Sequence, residues 1–301
     1  MIPEFPRFRS LELDDRHFIQ EIFRMYQPET SEWTFTNLFI WRSHYDFQWS
    51  MYGDWFILLC IGKGQRYHAF QPIGPPSRKE VTVALLEWLR REKGADPARI
   101  ERADQRLVSE LEGLPGILIE ADRDQFDYVY RSIDLIELAG RKYHGKRNHI
   151  NKFLRTQPFT YEPFDEKHHQ ACLELADRWC VLHRCEEDLN LTGEWDAVRD
   201  ILTHFQDLPV KGGVILMKNG VKAFALGELL NDQTATVHIE KADPDLPGLY
   251  AMINQQFCER AWKDVPFINR EQDLGESGLR KAKLSYYPNR LVEKFSIQLM
   301  E

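Results

Sequence analysis

The sequence of 301 residues is poor in several things, and each lack excludes something. No apolar run approaches the ~20 residues of a membrane-spanning helix; runs such as Trp55–Ile61 are strand-length. The start, Met1-Ile2-Pro3-Glu4, runs straight into charged residues, so no secretory leader is expected. Cysteine is scarce. Cys60, Cys172, Cys180, Cys185 and Cys258 are odd in number and scattered, which speaks against a disulfide framework and sets a reducing cytoplasm as the expected location. Positive charge is in deficit: 39 Lys+Arg against 47 Asp+Glu leaves a net charge of −8, which argues against a dedicated nucleic-acid coat protein and leaves room for a local basic patch. Repeats and low-complexity tracts are lacking. So are Gly-x-Ser-x-Gly and Walker A patterns. Gly62-Lys63-Gly64 has neither the third glycine nor the following helix of a dinucleotide fingerprint and reads as a hairpin turn. Cys180-x-x-His183-x-Cys185 has no second paired cluster, so no metal site is expected.

What is there builds cores. Apolar residues make up 43% and charged residues 29%, a globular balance, and the length suits one large or two medium domains. In the first half, Phe18, Ile22, Phe23 and Tyr26 recur at helical spacing up to Pro28. The aromatic-dense stretch Trp33–Trp41 follows. Phe47–Tyr52 and Trp55–Ile61 read as strands around Gly53-Asp54, and Tyr67–Pro72 as a returning strand. Val81, Leu85, Leu86 and Leu89 mark a helix closed by Gly94; strands are predicted at Ile117–Glu120 and Ser132–Leu138. The second half has a cleaner rhythm: helices over Glu166–His183 and Glu194–Leu208, then strands Gly213–Met217, Val221–Leu230 and Thr234–Lys241, the first two joined by the hairpin signal Asn219-Gly220. A helix Leu249–Trp262, a strand Phe267–Asn269, a helix Gly278–Ser285 and a strand Leu291–Leu299 complete it.

Helix, helix, three antiparallel strands, helix, strand, helix, strand is the order of an acetyltransferase-type (GNAT) domain, and the first half shows a blurred copy of it. The expected fold is therefore α/β (α+β): tandem GNAT-like domains, mixed mostly antiparallel sheets flanked by helices. The domains are placed at 1–140 and 157–301, joined by a basic connecting helix over 141–156.

Candidate chemistry gathers at four places. Period-two alternation puts Thr234, Thr236, His238 and Glu240 on one face of a strand, where His238 or Glu240 suits a general acid/base role; a solvated strand face is the plain alternative. Gly227 and Glu228 lie on the neighbouring strand, in a register that the sequence leaves open. The densest polar run, Asn269–Pro288, leaves a strand, turns at two glycines and enters a helix. Asn269, Arg270 and Tyr286 belong to it. Its acids Glu271 and Asp273 suit a cationic amine; Arg280 and Lys283, three apart, suit a phosphate or carboxylate, unless Glu271 and Arg280 simply pair with each other. The junction Gly140–Arg155 holds six Lys/Arg and no acid, so Lys142, His144, Lys146, Arg147 and Asn148 are candidate contacts for phosphates of RNA or of an anionic head group. Its plain alternative is a solvated helix. Trp33–Trp41 reads chiefly as packing, with Thr36 and Asn37 its candidate functional groups.

A further absence bears on the cofactor. Coenzyme A-dependent GNAT enzymes hold the pyrophosphate on a glycine-rich turn at a helix N-terminus. The corresponding stretch here, Glu240–Tyr250, has the single Gly248, flanked by prolines and acids. Acetyl-CoA is disfavoured, and no cofactor is expected.

Thr34–Trp41, Gly140–Leu154, His238-Ile239-Glu240-Lys241 and Asn269–Pro288 together resemble a bacterial family grouped with the C-terminal domain of phosphatidylglycerol lysyltransferases, over nearly the whole chain. The resemblance implies tandem GNAT-like domains akin to lysyl-phosphatidylglycerol synthases and Fem peptidoglycan transferases. Those relatives move an amino acid from aminoacyl-tRNA to a lipid or peptide amine or hydroxyl. The chain differs from the lipid-modifying enzymes in showing no transmembrane half. Two readings follow. In the first, an aminoacyltransferase uses aminoacyl-tRNA as co-substrate and a lipid head group or peptide as acceptor, with peripheral membrane contact. Glu240 or His238 takes the proton, Glu271 and Asp273 hold the donor amine, Arg280 and Lys283 an anionic group. In the second, a degenerate GNAT pair binds a small amino compound or peptide without chemistry. A CoA-dependent N-acyltransferase is a third, less favoured option.

Overall fold

In the computed structural model, residues 1–62, 66–156 and 158–300 are described. The chain divides into two compact units: Met1–Asp127 with Gln272–Arg280 and Leu291–Glu301, and Tyr128–Glu271 with Lys281–Arg290. The basic segment expected as a junction lies inside the second. Among the described residues no helix is long and apolar enough to cross a membrane.

The first unit opens with β1 (Arg9–Ser10) and α1 (Arg16–Tyr26), whose Ile19 and Phe23, one turn apart, point into the core. Helix α2 (Phe35–Tyr45) is the aromatic-dense stretch; Thr34 caps it by accepting from the Asn37 amide at 3.0 Å. Phe35 through Ile40 are buried all round, so this segment is core rather than an open stacking face. Strands β2 (Gln48–Tyr52), β3 (Trp55–Gly62) and β4 (Arg66–Phe70) form a meander turning at Gly53. The turn expected at Gly62-Lys63-Gly64 lies, beyond Gly62, outside the described residues. Helix α3 (Lys79–Lys93) buries Val81, Leu85, Leu86 and Leu89 and stops at left-handed Gly94. β5 (Arg99–Ala103), α4 (Gln105–Leu111) and β6 (Ile117–Ala121) follow. Ile57, Leu59, Ile100, Leu107 and Ile297 join the α3 stripe in one core cluster.

The second unit contains β7 (Asp127–Arg131), whose first residue closes the first unit, then α5 (Ser132–Glu137) and α6 (His144–Thr156). The strand expected at Ser132–Leu138 is this helix α5: Leu135 and Leu138 are buried three apart while Ile133 is exposed, so helical spacing prevails over alternation. β8 (Thr160–Pro163), α7 (His169–His183) and α8 (Leu189–Thr203) lead to the hairpin set β9 (Lys211–Met217), β10 (Gly220–Asn231) and β11 (Thr234–Ala242). Helix α9 (Leu249–Trp262) and β12 (Phe267–Asn269) match the sequence expectation. Cys180 and Cys185 form a disulfide, correcting the expectation that set disulfides aside; α7 ends in left-handed Arg184, which brings their Cα atoms to 5.1 Å.

The chain closes with α10 (Ser277–Leu284), β13 (Arg290–Val292) and β14 (Phe295–Leu299). One strand was expected over Leu291–Leu299. It is broken because Lys294 turns inward, fully buried, to donate to Glu32 at 2.6 Å and Asp127 at 2.7 Å.

The first sheet runs β1-β2-β3-β4-β5-β14-β6, and six strands of the second run β8-β9-β10-β11-β12-β7. In both, one parallel pair interrupts antiparallel neighbours at the same place, β4 with β5 and β11 with β12. In each sheet the strand beyond that pair, β14 or β7, comes from the other half of the sequence.

Candidate active site

The second unit concentrates charge along β11 and just beyond β12. The β10–β11 hairpin shifts register at two points, and at the first of them Leu226 pairs with Ile239 and Gly227 with Val237, leaving His238 as an extra residue, a β-bulge. Gly227 is required there, since a Cβ would meet the Thr236 carbonyl oxygen at 2.3 Å. Glu228, opposite Thr236, reaches the bulged histidine.

His238 is clamped at both ring nitrogens, with Glu271 Oε1 2.8 Å from Nδ1 and Glu228 Oε1 2.9 Å from Nε2. Its side chain is 1% exposed. Burial opposes the charge, but the two hydrogen bonds and the two carboxylate charges outweigh it and raise the pKa to about 9. At neutral pH both nitrogens donate and the ring is an imidazolium. It has no lone pair to offer as a base.

Glu271 is held in left-handed backbone geometry, φ 57°, an uncommon state for a residue other than glycine. Local bonds fix it: Asn269 Oδ1 accepts from the Glu271 amide at 2.7 Å, and buried Lys283 donates to the carbonyls of Arg270 at 2.6 Å and Glu271 at 3.1 Å.

Two residues beyond the bulge, Glu240 accepts from Arg270 Nη2 at 3.0 Å on one oxygen and from Asn254 Nδ2 at 3.1 Å on the other. The Arg270 guanidinium lies 5.0 Å from the Tyr286 ring and 6.0 Å from Tyr130. Burial works against its charge, but Glu240 and the two phenols raise its pKa further above the ordinary range. The same burial raises the phenol pKa values of Tyr130 and Tyr286. Lys146 of α6 completes the cluster with Nζ 3.8 Å from the Tyr286 ring. Burial first, and then the Arg270 charge, lower its pKa to about 8 against the pull of Glu240.

Other candidates are deployed elsewhere. Glu271 and Asp273 do not form a joint amine site. Asp273, fully buried in the first unit, takes Arg280 in a two-pronged pair at 2.8 and 2.7 Å, and Arg280 also donates to Asp124 at 2.7 Å. Glu271 and Arg280 therefore do not pair with each other, and Lys283 serves backbone carbonyls instead of joining Arg280. In α2, Thr36 is fully buried and Asn37 donates to the Ser31 carbonyl at 3.1 Å. Just before α6, Lys142 lies over the rings of Tyr143 and Tyr287, and on α6 His144 contacts Asn148 at 3.4 Å. Arg147 donates to the carbonyls of Leu138 and Gly140. Asn148, Asn151, Lys152 and Arg155 line an open depression of about 280 Å³ on the same helix.

Sequence reasoning missed Asn254 and Tyr130. Asn254 left a signal, a buried amide that follows the apolar run Ala251-Met252-Ile253 of α9 and opens the amide run Asn254-Gln255-Gln256. Tyr130 left none, because its strand is placed by long-range pairing.

These tandem GNAT-like units have relatives. The chain matches the family described as phosphatidylglycerol lysyltransferase, C-terminal, over residues 23–298, and it belongs to that family. A conserved protein of unknown function from Bacteroides thetaiotaomicron VPI-5482 is 34% identical, with a TM-score of 0.90 over 99% of this chain and 100% of that one. The structure of L-PGS from Bacillus licheniformis shares the fold at 14% identity and a TM-score of 0.64, over 99% and 93% of the two chains. A tandem GNAT protein from the clavulanic acid biosynthesis pathway shares it at 9% identity and 0.51, over 98% and 99%.

Proposed function

We propose that the protein is an aminoacyltransferase that moves an amino acid from aminoacyl-tRNA to the amine or hydroxyl of a lipid head group or peptide. The observation that carries the reading is the cluster Glu240, Arg270, Asn254, Tyr286 and Lys146, a carboxylate, guanidinium, amide, phenol and amine converging in a chain of the lysyltransferase family. Arg270 supplies fixed positive charge for an ester carbonyl turning oxyanion, and Glu240 orients the acceptor group. His238, a permanent cation at neutral pH, ties Glu228 to Glu271 and holds the loop that presents Arg270. Lys142, His144, Arg147 and Asn148 offer contacts to tRNA phosphates.

Support for a donor other than acetyl-CoA comes from the start of α9. Gly248 is left-handed, φ 92°, and a Cβ there would meet the His149 carbonyl oxygen at 2.6 Å. A carbonyl oxygen, with Asp243 nearby at the end of β11, is a poor setting for a pyrophosphate.

The test is transfer from total tRNA charged with radiolabelled amino acids to phosphatidylglycerol vesicles or to peptide amines. Label in the lipid or peptide is the expected result; none from any charged tRNA overturns the reading. A binding module without chemistry is favoured by one observation, that Glu240, His238 and Asp273 are all satisfied by internal partners. A thermal shift with a non-hydrolysable aminoacyl-adenosine but no transfer would select it.

A further inference from the structure

Transfer to an amine or hydroxyl needs a group that takes the nucleophile's proton, and the second unit offers few. His238 holds its proton at neutral pH, with both ring nitrogens committed. Both Glu240 oxygens already accept from Arg270 and Asn254. The phenols of Tyr130 and Tyr286 are pushed upward by burial. Lys146 differs from all of them. Half-buried, it has no carboxylate within ion-pair distance among the described residues, and its amine rests on the Tyr286 ring. The groups that face it are Arg270, which repels its proton, Glu240, which attracts it, and the Tyr286 ring. On its own helix Arg147 turns to the carbonyls of Leu138 and Gly140, and in the turn before that helix Lys142 turns to Tyr143 and Tyr287.

Resting on the transferase reading above, we infer that Lys146 is a catalytic residue, the general base that takes the acceptor's proton and returns it to the leaving tRNA ribose oxygen. The neutral amine accepts the proton as the acceptor oxygen or nitrogen bonds to the ester carbonyl carbon. The tetrahedral intermediate collapses, the carbon–oxygen bond to the ribose breaks, and the ammonium protonates the departing oxygen. Aminoacyl ester plus acceptor X–H gives aminoacyl–X plus ribose hydroxyl, with Lys146 neutral again. A lysine titrating near 8 is neutral in roughly a quarter of molecules at pH 7.5, an ordinary one in about one per thousand. The assignment differs from a phosphate-binding role, for which the charge alone would suffice.

Two measurements test it. Competitive acetylation of the full chain with acetic anhydride, read by mass spectrometry from about pH 6 to about pH 11, should show Lys146 titrating near 8; a midpoint near the ordinary ~10.4 overturns the proposal. Lys146→Arg keeps the charge but cannot accept a proton at these pH values. It should lower kcat for transfer at least ~100-fold while tRNA affinity and Tm stay near wild type, and the wild-type rate should climb with pH up to about 8, a limb the variant lacks. Wild-type transfer with an equally active Lys146→Arg overturns the base assignment alone. No transfer by wild type overturns the transferase reading and the assignment together.

Discussion

Two histidines sit on corresponding strands of the two units and end in opposite charge states. His68 on β4, beside parallel β5, is 3.6 Å from Glu101; burial, Arg102 and Arg99 together lower its pKa despite that glutamate. His238 on β11, beside parallel β12, is more deeply buried, yet its pKa rises because two carboxylates and no cation adjoin it. Burial disfavours charge in both. The sign of the outcome is set by the balance of neighbouring charges, so depth alone does not tell a neutral core histidine from a fixed imidazolium.

The sharpest way to break the comparison is at a buried lysine of the first unit. Lys294 is fully buried between Glu32 and Asp127, and Lys294→Met removes the ammonium shared by two buried acids that keep weaker support, Arg102 at 3.5 Å from Glu32 and the Ser31 amide donating to Asp127 at 2.7 Å. A loss of ~3–5 kcal/mol in urea unfolding is expected; a change under ~1 kcal/mol would mean that the acids simply protonate. Next comes pH. The raised His238 pKa contributes stability that is whole below 6.5 and is lost as pH rises to about 9, up to ~3 kcal/mol. His68, with its pKa lowered, costs stability as pH falls below 6.5. Lys146 adds a rise between about 8 and 10.5, so the difference between wild type and His238→Gln isolates the histidine. A difference flat from pH 6.5 to pH 9 would remove the imidazolium. Gly227→Ala should cost ~1–3 kcal/mol by forcing the bulge apart, visible as a lower Tm and a lower His238 pKa by NMR. Smallest, Lys142→Ala should reduce the salt slope of tRNA binding by about one phosphate's share, and an unchanged slope would take that residue off the tRNA path.

Much of the fold was legible where the signal is local. Asn219-Gly220 announces its hairpin, and α9 and β12 fall where apolar spacing and flanking turns put them. β5 and α4 were missed because Arg99, Glu101 and Arg102 dilute a short strand to Ile100 and Ala103. The sheet membership of β14 leaves no local trace at all, since remote pairing is invisible to periodicity. In the site, Glu240, Arg270, His238 and Glu271 stood out as charges on or beside strands. Which partner each takes depends on a one-residue bulge that the alternation of Thr234–Lys241 hides. Lys146 was legible only as one of a basic row; helical geometry turns it toward Tyr286 and its neighbours Lys142 and Arg147 elsewhere.

The strand β14 completes the first sheet from residues 295–299, while the rest of that sheet is encoded before residue 122. On the ribosome, at about 5–20 residues per second, the leading part of the first unit therefore waits roughly 10–35 s for its missing strand. During that interval the edges of β5 and β6 stand exposed as the nascent chain lengthens, a natural substrate for holding chaperones. Emergence of β14, rather than of the N-terminal half, is the event that lets this unit close.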